Sequence, residues 1–232
     1  MKNWPSDQIS MLTDSFPYQK QEPYKEQAMH MEMGTAENPP QKVKIKGTNI
    51  KGTCSDITDK EGLPSDYVVL DFETTGLREC NSRIIQAAAY KYRGYTKTDE
   101  MVTYVDPGEP IPENITELTG IGNEDVQGAP SIDEALPKLI EFIKDEIIIG
   151  HNIAFDLRFL VYNAEQYGIH LPYIEYIDTL KLSRRYIKGA ENYKLETLKE
   201  HLGIIASSHS ADDDCYVCGE VYRRCALQAG AK

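Results

Sequence analysis

The sequence predicts an α/β domain: a mixed five-stranded sheet flanked by helices, its first three strands in an antiparallel meander. Three observations carry that reading. The first is YVVLDF at 67–72, a short and almost continuous apolar run, the pattern of a strand covered on both faces. The second is the pair of gaps that separate it from RIIQAAAYKY (83–92) and EMVTYV (100–105). Both gaps carry loop residues, Gly76 and Asn81 in one and Gly94 in the other. Both are too short for a crossover helix, so consecutive strands must run antiparallel. The third is the alternation of helical and strand periods beyond residue 130.

The remaining elements follow in order. Ser131 with Glu134 three residues later is a capping box. Ile132, Leu136, Leu139, Ile140 and Ile143 then fall on one helical face. EIIIG (146–150) reads as a buried strand. A helix over about 154–167 comes next, then a short strand around Tyr176–Asp178, a helix from Leu180 and a closing helix over 211–228. No internal repeat is visible.

Residues 1–64 read differently from residues 65–232. The first 40 are rich in Gln, Met, Glu and Pro. Ile9, Leu12 and Phe16 suffice for one short amphipathic turn or two, so a poorly ordered tail is expected. KVKIKGTNIK (42–51) alternates Lys with Val and Ile, a strand with one apolar and one basic face. Lys42, Lys44, Lys46 and Lys51 suit a nucleic-acid contact, and equally an edge strand that lysines keep from pairing.

Composition narrows the function. A chain of 232 residues with 41% hydrophobic and 27% charged residues is ordinary for a globular protein and excludes disorder throughout. No apolar run approaches the roughly 20 residues of a membrane helix, so no membrane partner is expected. MKNWPSDQISML lacks the apolar core of a secretory signal. Five cysteines without framework spacing fit a reducing, cytoplasmic setting. A net charge of −12 rules out a uniformly basic nucleic-acid coat. It leaves room for a local basic patch or a metal-bridged phosphate site.

The carboxylates point to the latter. Asp71 and Glu73 stand at the end of the first strand, in DFETTG, two apart and so on one face. Adjacent carboxylates repel, and a divalent cation resolves the conflict; hard oxygen ligands suit Mg²⁺ or Mn²⁺. Asp156 follows Gly150 and Asn152 in GHNIAFDLRFL. Asn152 is placed to cap a helix, which puts Asp156 in its first turns, where the helix dipole alone would also favour an acid. Three acids open the last helix in HSADDD (209–214). Ala211, Cys215, Cys218, Tyr222 and Cys225 form its buried face, and Asp214 borders that face.

DFETTGL, GHNIAFDLRFL and HSADDD, in that order, closely resemble the three exonuclease motifs of the DnaQ-like superfamily of 3′–5′ exonucleases, in its branch with four acids and a histidine. ITELTGIGNEDVQGAP, IDTLKLSRR and YKLETLKEHLGI resemble the segments between them. The likeness spans about residues 65–229 and is nearest to proofreading domains of the epsilon type of bacterial DNA polymerase III.

The resemblance implies a ribonuclease H-like fold and makes residues 65–232 an exonuclease domain. It implies two Mg²⁺ or Mn²⁺ ions held by Asp71, Glu73, Asp156 and Asp214. In it Asp71 bridges the pair, and Asp156 acts directly or through water. His209, five residues before Asp214, matches the general-base histidine; the sister branch has a tyrosine where Ser210 stands. Thr74, Thr75, Gly76 and Leu77 correspond to the pocket of the terminal nucleotide, and Asn152 to a substrate contact. The implied reaction frees nucleoside 5′-monophosphates from single-stranded or frayed 3′ ends, DNA before RNA, with a DNA polymerase as the implied protein partner. RNA trimming and a non-catalytic binding module are the alternatives. Asp212 departs from the family, which usually has an apolar or neutral residue there.

Other signals have plainer readings. Cys215 and Cys218 have C-x-x-C spacing, but no second ligand pair is near, and both fall on an apolar stripe. His151 suits a structural hydrogen bond at a helix entrance. Tyr90, Tyr92 and Tyr95 interleave with Lys91, Arg93 and Lys97 and suit sheet packing more simply than base stacking. Lys181, Arg184, Arg185 and Lys188 are the densest positive run, a candidate to track a phosphate backbone, with a solvated helix face as the default.

Overall fold

The computed structural model describes residues 50–52, 63–206 and 210–230. The expected tail over 1–40, Lys42, Lys44, Lys46 and His209 lie outside the described residues. All described residues fall in one compact unit, Ile45–Lys232.

The strands are β1 (Ile50–Gly52), β2 (Tyr67–Thr74), β3 (Ile84–Arg93), β4 (Thr96–Tyr104), β5 (Ile147–Gly150) and β6 (Ile174–Asp178). They form one sheet in the order β1-β6-β5-β2-β3-β4. β2 to β4 are the antiparallel meander, and β5 and β6 join β2 in parallel. These are the five expected strands. β1 adds a sixth at the edge, parallel to β6 with Lys51 in register with Glu175. Only the end of the basic strand expected over 42–51 is therefore seen.

The helices are α1 (Glu113–Thr119), α2 (Asn123–Val126), α3 (Ile132–Ile143), α4 (Ala154–Gln166), α5 (Thr179–Tyr186), α6 (Leu195–Leu202) and α7 (Ala211–Gln228). The capping box of α3 is formed, with Ser131 N–H donating to Glu134 at 3.2 Å. α1, α2 and α6 were not expected from the sequence. α1 and α2 have only seven and four residues, too few for a helical period to stand out.

β2 divides the core. Its Val68, Leu70 and Phe72 pack towards Leu136, Leu139 and Leu160 of α3 and α4. Its Tyr67 and Val69 pack towards Leu182, Leu198 and the stripe of α7 that runs from Ala211 to Ala226. Alternation along the strand then carries Asp71 and Glu73 to the α7 side. The tyrosine ladder belongs to this same layer. Tyr67 stacks on Tyr92 and meets Tyr222 edge-on, while Tyr90 is buried. These rings are core, and base stacking by Tyr90 and Tyr92 is overturned by their burial. Cys215 and Cys218 are also interior. The Cys215 thiol lies 3.4 Å from the Ala88 carbonyl oxygen, and burial pushes both thiols up, away from the thiolate a metal or redox site needs.

Candidate active site

The parallel strands β2, β5 and β6 all finish at the same end of the sheet, and the helices that follow β5 and β6 start there. Asp71 and Glu73 arrive there on β2, and Asp214 arrives on the first turn of α7. One carboxylate oxygen from each of the three lies within 4.8 Å of the others. The sequence offers no local reason for this meeting, since Asp214 is far along the chain. It follows from α7 packing on the face of β2 that carries the odd-numbered residues.

The electrostatics are those of an unneutralised anionic pocket. Burial, then Asp156, Asp214 and Glu73 in turn, push Asp71 well above the carboxylate range. Burial and Asp214 push Glu73 up to about 7. Asp156 rises to about 8, mainly through burial, although the backbone N–H of Phe72 and its own N–H pull it down. Either protons or cations must hold such a group of carboxylates together. The donors are oxygens of ionisable acids and the nearby thiols face the core, so the set fits Mg²⁺ or Mn²⁺.

Asp156 is buried at the start of α4 and is outside the group of three. Its Oδ1 accepts the Phe72 N–H at 3.0 Å, so one of its two oxygens is engaged with β2. The structure thus brings together three of the four expected ligands and sets the fourth beside them. His209 is outside the described residues.

The three consecutive acids of α7 have three different surroundings. Asp212 accepts the hydroxyl of Tyr90. Asp213 closes the helix cap, its N–H donating to Ser210 Oγ at 3.2 Å. Asp214 joins Asp71 and Glu73.

The turn after β2 is locked from inside. Thr74 Oγ1 donates to the Gly76 carbonyl at 2.7 Å, and Thr75 Oγ1 accepts the Arg83 N–H at 2.8 Å. A Cβ on Gly76 would come within 2.7 Å of Ser82 Oγ, so a larger residue there would require Ser82 to move. The Thr75 N–H also donates to the Arg83 carbonyl at 2.8 Å, so side chains and backbone together close the turn. Leu77 is presented outward, 53% exposed.

Asn152 is not the helix cap that the sequence suggests. Its φ is +57°, a left-handed conformation that Asn tolerates better than most residues. Ile153 occupies the cap position, without a side-chain hydrogen bond. The Asn152 N–H donates instead to Asp178 Oδ1 at 3.0 Å. Asp178 also accepts the Leu180 N–H at 2.9 Å and so caps α5. Sequence reading missed this buried joint. An Asp at a strand end, two residues before a helical leucine, is the signal that was there to find.

His151 is structural. Its ring nitrogens lie 2.9 Å from Thr179 Oγ1 and 2.9 Å from the Tyr193 carbonyl. Burial pushes it down to about 4, so it is neutral at pH 7. Nε2 faces a carbonyl and must donate, so Nδ1 is an acceptor and shares the Thr179 hydroxyl with the Gly150 carbonyl, 3.2 Å from Thr179 Oγ1. Lys181, Arg184, Arg185 and Lys188 are exposed along and just past α5. Arg184 and Arg185 occupy its last turn, where cations complement the helix dipole.

Known proteins share both sequence and fold with this chain. Residues 68–222 match the family model described as Exonuclease. The PolC-type DNA polymerase III of Caldanaerobacter subterraneus subsp. tengcongensis is 38% identical over 161 residues, which are 69% of this chain and 11% of that protein. The epsilon subunit of DNA polymerase III from Aquifex aeolicus is 35% identical over 161 residues, 69% of this chain and 80% of the relative. The chain therefore spans 11% of the PolC-type relative but most of the epsilon subunit. E. coli exonuclease I in complex with a dT13 oligonucleotide shares the fold at a TM-score of 0.60 and 19% identity, over 68% of this chain and 40% of that one. The epsilon-subunit match and the match of the Exonuclease model from β2 into α7 agree, and the chain belongs to the exonuclease family of the DnaQ-like superfamily.

Proposed function

We propose that this domain is a divalent-metal-dependent 3′–5′ exonuclease that removes nucleoside 5′-monophosphates from the 3′ end of DNA. The observation that carries the reading is the convergence of Asp71, Glu73 and Asp214 within 4.8 Å, with Asp156 buried beside them. These four would hold two Mg²⁺ or Mn²⁺ ions. Bound there, such ions polarise a phosphodiester and stabilise charge on its attacking and leaving oxygens.

The chain's own residues do the rest. His209 accepts a proton from the attacking water, a task that suits an imidazole near neutral pH. The backbone of Thr74, Thr75 and Gly76 holds the terminal nucleotide, Leu77 wedges against its base, and Asn152 contacts the strand from the turn before α4. Single-stranded or frayed 3′ ends suit a site of this kind, because the last nucleotide must leave its stack to reach the acids. DNA is favoured over RNA because the relatives named above are DNA polymerase III proteins. A polymerase is the protein partner proposed on the same ground.

No described helix is long and apolar enough to cross a membrane. The free thiols of Cys80, Cys215, Cys218 and Cys225 support a reducing, cytoplasmic location.

The test is a gel assay of 5′-labelled single-stranded DNA and RNA with Mg²⁺, Mn²⁺ or chelator. A ladder shortening from the 3′ end of DNA, lost in chelator, is the expected result. Faster shortening of RNA would move the assignment to RNA trimming. Binding of either strand without cleavage would make the domain a scaffold.

A further inference from the structure

Asp214 reaches the other acids only if the first turn of α7 is held at the right height against the sheet. That turn begins with backbone N–H groups that have no partner inside the helix. Ser210 takes the N–H of Asp213. The N–H of Ala211 is taken from outside the helix, donating to Oε1 of Gln86 on β3 at 3.0 Å in a buried bond.

Gln86 is well placed for this. It stands directly opposite Glu73 in the β2–β3 ladder. Residues opposite each other in an antiparallel pair share a face, so Gln86 projects from the face that carries Asp71 and Glu73. It is only 5% exposed, and a buried amide of that size is retained at a cost unless its polar atoms are used. Two further ties run from β3 to the same part of α7. Tyr90 donates to Asp212, and the Cys215 thiol donates to the Ala88 carbonyl at 3.4 Å. Of the three, the Gln86 bond is the one formed with the first residue of the helix, three positions before Asp214.

We propose that Gln86 is a positioning residue for the metal site. By accepting the Ala211 N–H, it sets the seat of α7 on β3, and with it the distance of Asp214 from Asp71 and Glu73. This rests on the reading of those three acids as metal ligands. Gln86 itself touches neither ion nor substrate.

The experiment is Mn²⁺ binding to the full chain, followed by calorimetry and by the paramagnetic resonance of free Mn²⁺, with no substrate present. Gln86→Leu, and Gln86→Met as the variant of matched length, both lack the acceptor oxygen. Each should bind Mn²⁺ about 10- to 100-fold more weakly, the usual loss when a group that orients a metal ligand is removed. Gln86→Glu keeps an oxygen at the same reach and should restore binding. A purely structural role would lower melting temperature alike but leave the affinity of the folded variants unchanged. Wild-type affinity in folded Gln86→Met, or failure of Gln86→Glu to restore it where Gln86→Met has lost it, overturns the proposal. Absence of Mn²⁺ binding in the wild type would instead sink the metal site on which it rests.

Discussion

Replacing Glu73 by Gln should make the metal-free protein more stable, even as it damages the site. Burial and Asp214 hold the Glu73 carboxyl at about 7 in the fold, against 4.5 in a free side chain. Raising a carboxyl over that interval costs the ionised native state about 3 kcal/mol once the pH exceeds both values. The sign follows from proton counting. Between pH 4.5 and 7 the native protein holds a proton that the unfolded chain has released, so stability is full below 4.5 and is lost as the pH rises through 7. At pH 5 the native carboxyl is protonated and the penalty is below about 1 kcal/mol. Glu73→Gln removes the charge at every pH, so its gain should be about 2–3 kcal/mol at pH 8 and small at pH 5. For a chain of this size that corresponds to a rise in Tm of roughly 5–10 °C at pH 8. The assay is thermal unfolding in chelator at both pH values, followed by far-ultraviolet circular dichroism. Tryptophan fluorescence would serve poorly, because the single tryptophan, Trp4, lies outside the described residues. In Mn²⁺ the order should reverse, with the wild type gaining more from the ion than the variant does. An unchanged or lower Tm for metal-free Glu73→Gln at pH 8, or a gain of equal size at pH 5, would refute the electrostatic account of the site.

The remaining predictions concern the ions, the base, the core histidine and the tail. Mg²⁺ and Mn²⁺ should support cleavage, and Ca²⁺ should support little, because it accepts loose, higher coordination; robust turnover in chelator by metal-free protein would end the metal reading. His209→Ala should slow cleavage by about 10²–10⁴-fold, lose the acidic limb of the pH–rate profile and keep Mn²⁺ affinity, whereas Asp71→Ala should lose both; wild-type rate and profile in His209→Ala would mean that the base is another group. Burial holds His151 at about 4, so the unfolded chain takes the proton first and the native state loses up to about 3 kcal/mol as the pH falls from 6.5 towards 4. The stability difference between wild type and His151→Gln should shrink over that window, and a difference constant with pH would contradict a neutral buried imidazole. Removal of residues 1–40 should leave a folded domain that cleaves short oligonucleotides, with Trp4 of the full chain red-shifted and readily quenched; an insoluble truncation would show that the tail packs on the domain.

What was legible in the sequence depended on distance along the chain. The run YVVLDF read as a strand buried on both faces because each of its residues reports on its own position, and the two apolar layers of the core confirm that reading. The capping box of α3 was legible because Ser131 and Glu134 are three residues apart. Asn152 misled for a related reason. A short polar residue before a helix suggests a local cap, but the partner of its backbone is Asp178, 26 residues on, across the β5–β6 pair. The bond of Gln86 to Ala211 spans 125 residues, and no local pattern announces it. α1 and α2 stayed hidden for a different reason: with seven and four residues they are held by tertiary packing more than by a helical period of their own. The acids of the three motifs were visible as acids. That Asp71, Glu73 and Asp214 meet, while Asp156 gives an oxygen to Phe72, required the end of the sheet that gathers them.

The acidity of the chain also reads differently once its carboxylates are placed. On the function proposed above, a protein of net charge −12 must still admit a polyanion to its site. Asp212, the departure from the family pattern, would worsen that problem if it faced the pocket as a bare charge. It instead accepts the hydroxyl of Tyr90, whose ring lies beneath the ammonium of Lys97 at 3.4 Å. A cation, an aromatic face and a hydroxyl thus stand in sequence behind one carboxylate, and each contact spreads its charge away from the site. Asp213 is turned to the helix cap. Of three adjacent acids only Asp214 is left to add its field to Asp71 and Glu73. In the proposed function, the repulsion a phosphate must overcome would be set by the same few carboxylates proposed to hold cations, and divalent ions bound there would remove it at the scissile bond. Far from the site, the remaining surface charge is screened over about 8–10 Å at physiological salt. Net acidity and the proposed action on nucleic acid are compatible because the field that matters is local and would be reversed by the bound ions.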